Sequence, residues 1–351
     1  MLDGKEGAEV LVAVLSFNQS AYIKQCLDSI FMQKCNFDYK VFVYDDASTD
    51  NSWNIILEYK KQYSDKMIIF RPEVNQFSQG KFNTFYKKMT TMREYKYIAM
   101  CEADDYWLCC DKLQKQYECL EKNISCSICV CATDSIDDIH QRMMGRAPLS
   151  ERNKVIVGDR VIIDTLKSSC LFGTNTYFMR SKHFEDIDME TNFWNYVAGD
   201  MAFILYLATK GNIYYFGECM AVKRRFNKGS ISEKKYDIQN NARAVLDKNF
   251  KADIEWAQSF NEISDKYSDA IQRYIVWRKI RLYYVWNGNI KLNQYVDTSN
   301  GKLYTISLYQ KINRWYVRLV KLFYGNDEVR FVKKERQWME KEWKRLQKKE
   351  V

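Results

Sequence analysis

Three short apolar runs in the N-terminal third each stop at a polar turn, and two of those turns carry adjacent aspartates. Val10 to Leu15 ends at Ser16-Phe17-Asn18, Val41 to Tyr44 ends at Asp45-Asp46-Ala47-Ser48-Thr49-Asp50, and Tyr97 to Cys101 ends at Glu102-Ala103-Asp104-Asp105. Nearly continuous apolar runs of this length fit strands covered on both faces. Helical patterns lie between them. Ile23, Leu27, Ile30 and Phe31 recur at the helical period, and Trp53, Ile56, Leu57 and Lys60 open a second helix for which the cluster Asp45 to Asp50 supplies several possible caps. Met67 to Phe70 adds another strand. Strands alternating with helices predict a mostly parallel sheet with helices on both faces. In such sheets ligands bind beyond the carboxyl ends of the strands, where all three polar turns begin.

Two aspartate pairs on one rim repel each other unless a cation or hydrogen-bond donors offset them. Carboxylates coordinate Mg²⁺ or Mn²⁺, and those ions bind phosphate oxygens, so the pattern points to a metal-bound di- or triphosphate. The competing reading is of loop caps and solvated turn residues, for which Asp50 is the better candidate. Glycine-rich cradles are missing: no GxGxxG follows the first strand, no GxxxxGK[ST] run occurs, and Gly80-Lys81 lacks the following Ser or Thr.

Downstream, Arg142 to Asp159 reads as a long polar loop containing Gly145, Pro148 and Gly158. Phe172 to Met179 reads as a strand, Met201 to Thr209 as a helix and Asn212 to Phe216 as a short strand. From about Asp237 the patterns turn helical, as in Ile271, Ile275, Arg278, Leu282 and Trp286, then Trp315, Leu319 and Leu322. The expected division is therefore 1–236 for an α/β catalytic domain and 237–351 for a mostly helical, basic extension.

The chain has 351 residues and a net charge of +9, and Lys311 to Val351 alone holds 13 Lys and Arg against 6 Asp and Glu. A basic tail with Trp338 and Trp343 fits an anionic membrane surface or, alternatively, helices that pack on the catalytic domain or on a second copy. Nucleic acid is not expected, because the acidic rim opposes it. Met1 to Glu9 carries Asp3, Glu6 and Glu9, the wrong pattern for an export signal, and no run of about 18 apolar residues predicts a membrane span. The expected location is cytoplasmic, extending to the inner face of the membrane. The 11 cysteines are scattered and odd in number, which fits reduced core thiols, and His140 and His183 are not in zinc-site spacing.

Several stretches, in order, resemble family 2 glycosyltransferases of GT-A fold, the inverting family that builds bacterial surface polysaccharides. They are Val12 to Asn18, Val43 to Asp50, Asn75 to Asn83, and Cys101 to Trp107 with Lys112-Leu113-Gln114 and Gln116. Gly199-Asp200 followed by Leu205, Leu207 and Gly211 also fits, so the resemblance covers about residues 9 to 235. It implies a three-layer α/β/α nucleotide-diphospho-sugar transferase fold.

It also implies roles. Asp46 would read the base with Asp45 in support, and Ser16 and Asn18 would line the nucleotide pocket. Asp104 would neighbour ribose or diphosphate, Asp105 would hold the metal, and Lys81 would meet donor phosphate. Asp200 would be the general base, against the plainer reading of a helix cap for the segment from Met201. Family members often end the last core strand with Tyr-Arg-x-His; here Lys223-Arg224-Arg225-Phe226 puts phenylalanine at the histidine position, and Arg224 or Arg225 would assist the leaving diphosphate. The expected activity is metal-dependent transfer, with Mn²⁺ or Mg²⁺, of a sugar from a nucleotide-diphosphate donor, UDP-sugar favoured, to a hydroxyl of a glycan or lipid-linked oligosaccharide. The alternatives are a sugar-nucleotide nucleotidyltransferase, whose Gly-rich basic loop after the first strand is missing, and a non-catalytic glycan-binding or scaffold protein.

Overall fold

The computed structural model describes residues 8–92, 94–137, 142–147, 152–168, 172–185, 187–196, 199–225, 242–272 and 274–275. These sort into two compact units. The first lies within Met1–Thr165, Ser169–Asn240 and Ser259–Lys266, and the second within Leu166–Ser168, Asn241–Gln258 and Tyr267–Val351. The candidate site belongs entirely to the first.

Its N-terminal half follows the predicted alternation: β1 (Val10–Ser16), α1 (Ile23–Phe31), β2 (Tyr39–Asp45), α2 (Ser52–Gln62), β3 (Met67–Phe70), α3 (Thr84–Thr91) and β4 (Tyr97–Glu102). β1 lies between β2 and β4, parallel to both, with Leu15 paired to Tyr44 on one side and to Glu102 on the other. This register brings the three strand ends, and so the three polar turns, to one rim. Val10 to Val14 are fully buried, because the strand is covered on both faces. Each of the buried valines and Leu11 stabilises the fold by about 1.5–3 kcal/mol. α1 buries Ile23, Cys26, Leu27 and Ile30 on one face, while Phe31 stacks on Tyr63 at 3.8 Å.

The sheet continues through β5 (Tyr106–Trp107), β6 (Cys126–Asp137), β7 (Arg142–Ala147), β8 (Lys154–Ile156), β9 (Phe178–Arg180) and β10 (Asn212–Arg225), with helices α4 (Lys112–Lys122), α5 (Gly158–Ser168) and α6 (Gly199–Lys210). Among the described residues the strand order is β3-β2-β1-β4-β9-β6-β10-β5, with β7 on β6 and β8 on β10. Met201 to Ala208 are all buried on α6, which is enclosed rather than amphipathic.

Three expectations change. The 142–159 segment is not all loop: β7 and β8 add antiparallel strands to β6 and β10, and α5 begins at Gly158. Its polar residues hid short strands, of which β8 has Lys154 and Val155 exposed. Phe172 to Met179 is not one strand. Thr174–Thr176 forms a 3-10 turn, in which the Thr176 hydroxyl and N–H both donate to the Gly173 carbonyl, and a strand follows from Phe178. The strand beginning at Asn212 runs on to Arg225, because register shifts between Phe216 and Ala221 break the alternation without ending the pairing.

Cys26, Cys101, Cys119, Cys126, Cys129 and Cys131 are buried free thiols. No helix among the described residues is long and apolar enough to cross a membrane. α7 (Ala242–Ile263) is the long helix beyond the sheet. Leu282, Trp286, Trp315, Leu319, Leu322, Trp338 and Trp343 lie outside the described residues, as does Phe226.

Candidate active site

The β1 and β2 turns are laced together. Asn18 adopts a left-handed backbone, with φ 54°, and its Oδ1 accepts the Thr49 N–H at 2.7 Å. The Asn18 N–H donates to Ser48 Oγ at 2.9 Å, and the Gln19 N–H to Ser52 Oγ at 2.8 Å. Asp50 accepts the N–H groups of Ser20 and Ser52, each at 2.9 Å, and so caps the start of α2. Ser16 is fully buried, and its Oγ has no hydrogen-bond partner.

Asp45 and Asp46 are both well satisfied. Asp45 is fully buried; its Oδ1 accepts the Ser48 N–H at 2.9 Å and faces Arg71 Nε at 3.5 Å, and its Oδ2 accepts the Ser48 hydroxyl at 2.6 Å. Arg71 also donates to the Ser48 carbonyl and lies over the Trp53 ring. The Asp46 carboxylate takes two backbone donors, Gln76 N–H at 2.8 Å and Phe77 N–H at 3.0 Å, while Asn75 Nδ2 donates to its carbonyl. Asp46 thus fixes the segment leading to Lys81, whose side chain is exposed.

The turn after β4 is different. Glu102, Asp104 and Asp105 each offer a carboxylate oxygen, and the three atoms lie within 4.8 Å of one another. Asp105 is 1% exposed; its Oδ1 accepts the Arg224 N–H at 2.9 Å, but its Oδ2 is buried with no partner. Burial, then Asp104 and Glu102, push its carboxyl well above the usual range, against a smaller opposing pull from Lys223. Three crowded carboxylates around an unpartnered oxygen are a donor set that fits a hard divalent cation.

Arg224 braces this turn. Its Nη1 donates to the Asp104 carbonyl at 2.6 Å, its Nη2 donates to Gln25 Oε1, and its guanidinium lies 4.8 Å from the Tyr22 ring centre and 4.9 Å from that of Tyr106. Lys223, one residue earlier, faces the acidic side, with Nζ 3.5 Å from Glu102 Oε2.

Asp200 opens α6, where its Oδ1 accepts the Met201 N–H at 2.9 Å and its carbonyl accepts the Tyr177 hydroxyl at 3.1 Å. Burial raises its carboxyl, Lys223 opposes that, and Glu102 adds to it. A Cβ at Gly199 would sit 2.5 Å from the Tyr86 ring and hydroxyl, so a side chain here would displace Tyr86. Tyr86 therefore packs directly on the start of α6, and its hydroxyl is pushed upward by burial and then by Glu102 and Asp200.

Residues 11–187, half of the chain, match the sequence model described as "Glycosyl transferase family 2". The chain belongs to glycosyl transferase family 2. An uncharacterised Mycobacterium tuberculosis protein is 31% identical over 219 residues, which cover 62% of this chain and 59% of that one, so the match spans under two thirds of that relative's length. The dTDP-rhamnosyl transferase RfbG of Shigella flexneri is 36% identical over 110 residues, 31% of this chain and 37% of RfbG. In fold, the family 2 chain is similar to S. aureus TarS 1-349 in complex with UDP-GlcNAc, with TM-score 0.54 and 16% identity, covering 87% of this chain and 79% of that one. It is also similar to the mannosyltransferase PcManGT from Pyrobaculum calidifontis in complex with GDP-Man and Mn²⁺, with TM-score 0.54 and 11% identity, covering 95% and 86%. At such identities the likeness establishes the GT-A type fold alone.

In the family 2 chain, Ser16, Asn18, Asp45 and Asp46 meet at the joined β1 and β2 turns. Asp104 and Asp105 sit on the neighbouring β4 turn, and the charges of Lys223 and Glu102 act on Asp200 at the start of α6. Lys81 lies on the segment held by Asp46, and Arg224 lies behind the acidic turn. Glu102, Lys223, Tyr86 and Arg71 were not singled out by the sequence reading. Glu102 stands two residues before Asp104, a carboxylate spacing that would have found it. Lys223 would have followed from strand alternation, had the strand been extended to Arg225. Tyr86 and Arg71 carry no signal in the sequence pattern.

Proposed function

We propose that the chain is an inverting glycosyltransferase that moves a sugar from a nucleotide-diphosphate donor, UDP-sugar favoured, to a hydroxyl of a glycan or lipid-linked oligosaccharide. The observation that carries this reading is the acidic turn: in a family 2 chain, carboxylate oxygens of Glu102, Asp104 and Asp105 lie within 4.8 Å of one another at the carboxyl end of a central strand, and Asp105 keeps a buried, unpartnered Oδ2. TarS was solved with UDP-GlcNAc and PcManGT with GDP-Man and Mn²⁺, and both share the fold.

Glu102, Asp104 and Asp105 would hold Mn²⁺ or Mg²⁺. A bound divalent ion supplies charge neutralisation for a departing nucleoside diphosphate. Asp105 would hold the metal through its unpartnered Oδ2, and Asp104, the more accessible of the pair, would complete the ion's shell beside ribose or diphosphate. Asp46 and the 75–77 turn would form the base-binding side, with Asp45 locking the turn behind it and Ser16 and Asn18 forming the floor. Lys81 would approach the donor phosphates. Asp200, whose carboxyl is raised by burial, would take the acceptor proton as that hydroxyl attacks the anomeric carbon. One displacement without a covalent intermediate inverts the configuration.

The catalytic unit in this reading is 1–236. The basic segment Lys311 to Val351 in the 237–351 extension would meet an anionic membrane surface or a second copy, keeping the enzyme on the cytoplasmic face beside a lipid-linked acceptor. The test is calorimetry and donor hydrolysis with UDP-, GDP- and dTDP-sugars, with and without Mn²⁺, on the parent and on Asp105→Asn and Asp104→Asn. The reading expects one donor class to bind with Mn²⁺ and both variants to lose it. A folded parent that binds none of these donors contradicts it.

A further inference from the structure

β10 reaches the site with three successive basic residues, and the strand's two-residue alternation separates their tasks. Arg224 points inward, is 9% exposed, and is held by the Asp104 carbonyl, Gln25 and two tyrosine rings. A planar guanidinium pinned this way braces the acidic turn and has little freedom to follow a substrate. Lys223 faces the other way, onto the acidic rim, with its side chain 23% exposed and Nζ 3.5 Å from Glu102 Oε2. Glu102 first, then Asp105 and Asp200, keep its ammonium firmly charged.

A cation in that place has a second use. Its pairing with Glu102 is loose, and its four-carbon stem can reorient. A divalent ion bound by Glu102 would take over the carboxylate and repel the ammonium, which leaves Lys223 facing the nearest new anion. We propose that Lys223 is a catalytic residue for sugar transfer, its ammonium contacting the diphosphate and offsetting the charge that develops on it. This rests on the sugar-nucleotide reading above. In the step, the acceptor oxygen bonds to the anomeric carbon, the bond from that carbon to the phosphate oxygen breaks, its electron pair leaves with the diphosphate, and the acceptor proton passes to Asp200. Lys223 makes and breaks no covalent bond; it is an electrostatic partner of the leaving group.

The full chain separates this role from a structural one. Binding of UDP, GDP and dTDP, each beside UMP, GMP or dTMP, is measured by calorimetry at saturating Mn²⁺ for the parent, Lys223→Gln and Lys223→Arg, with melting curves for all three. Lys223→Gln is expected to weaken the diphosphate that the parent binds by about tenfold or more, since hydrogen bonds to charged groups are of that size, and to leave the matching monophosphate unchanged. Lys223→Arg, which keeps the charge, should recover most of the loss. Unchanged diphosphate affinity in Lys223→Gln overturns the role, and so does an equal loss for both nucleotides, the mark of a disturbed rim. A parent that binds no diphosphate overturns the sugar-nucleotide reading with it, whereas a parent that binds and a glutamine variant that matches it remove Lys223 alone.

Discussion

The two aspartate pairs look alike in the sequence and are opposites in the fold. At the end of β2, every carboxylate oxygen of Asp45 and Asp46 has a donor, from Ser48, Arg71, Gln76 or Phe77. At the end of β4, Asp105 keeps a buried oxygen without a partner beside two further carboxylates. The first pair is satisfied by its own chain and shapes the turns around it. In the second, Asp105 keeps one oxygen without a partner, and in the proposed reading a cation completes it. A pair of acidic residues at a strand end is therefore not in itself a metal site; the hydrogen-bond balance around it is what separates a turn organiser from the proposed cation holder.

The largest effect that sharpens this contrast is on activity. Asp104→Asn should lower kcat, on whichever donor the calorimetric panel selects, by roughly a hundredfold or more, as loss of one electrostatic group at a transition state does, with denaturant stability close to the parent's. Asp45→Asn should do the reverse in kind and cost about 2 kcal/mol in chemical denaturation, because it removes a charged acceptor of buried hydrogen bonds. Equal stability losses in the two variants would break the comparison.

Next in size is the brace. Arg224→Met removes the groups that hold the Asp104 carbonyl, and should weaken Mn²⁺ binding by about tenfold or more, as loss of an outer partner of a metal ligand does. Calorimetric Mn²⁺ titration checks it, and unchanged affinity would leave Arg224 with a packing role alone. Smaller still, Asp105→Asn removes a buried charge short of partners, so without metal it should melt no lower than the parent, while the Mn²⁺-induced rise in Tm disappears. A large drop in metal-free Tm would show that the buried carboxylate is satisfied after all. The smallest effect belongs to Ala47, which holds φ 59° in the β2 turn. Ala47→Gly should relieve strain of about 1 kcal/mol at most, read as a slight rise in denaturation midpoint.

Much of this organisation was legible in the residues themselves. The apolar runs at Val10, Val41 and Tyr97, with their abrupt polar stops, carry the parallel β1, β2 and β4 arrangement, because a strand buried on both faces has few alternatives. The edge of the sheet was hidden for the converse reason. β7 and β8 are short pieces of a polar stretch and read as loop, and β10 passes through a register shift near Gly217 that interrupts its alternation. That interruption also hid the distinction between Lys223 and Arg224, which follows from strand phase alone. Asp45 and Asp105 could not be told apart by type or spacing. Their difference lies in what reaches them from Ser48, Arg71 and the Arg224 backbone, and such contacts are made by folding.

The most direct measurement is an electron paramagnetic resonance titration of Mn²⁺ into the full chain, with and without UDP, on the parent, Asp104→Asn and Asp46→Asn. The account predicts one Mn²⁺ per chain, bound more tightly with nucleotide, lost in Asp104→Asn and retained without nucleotide in Asp46→Asn. Binding that survives Asp104→Asn, or a parent that binds no Mn²⁺ in either condition, would contradict it.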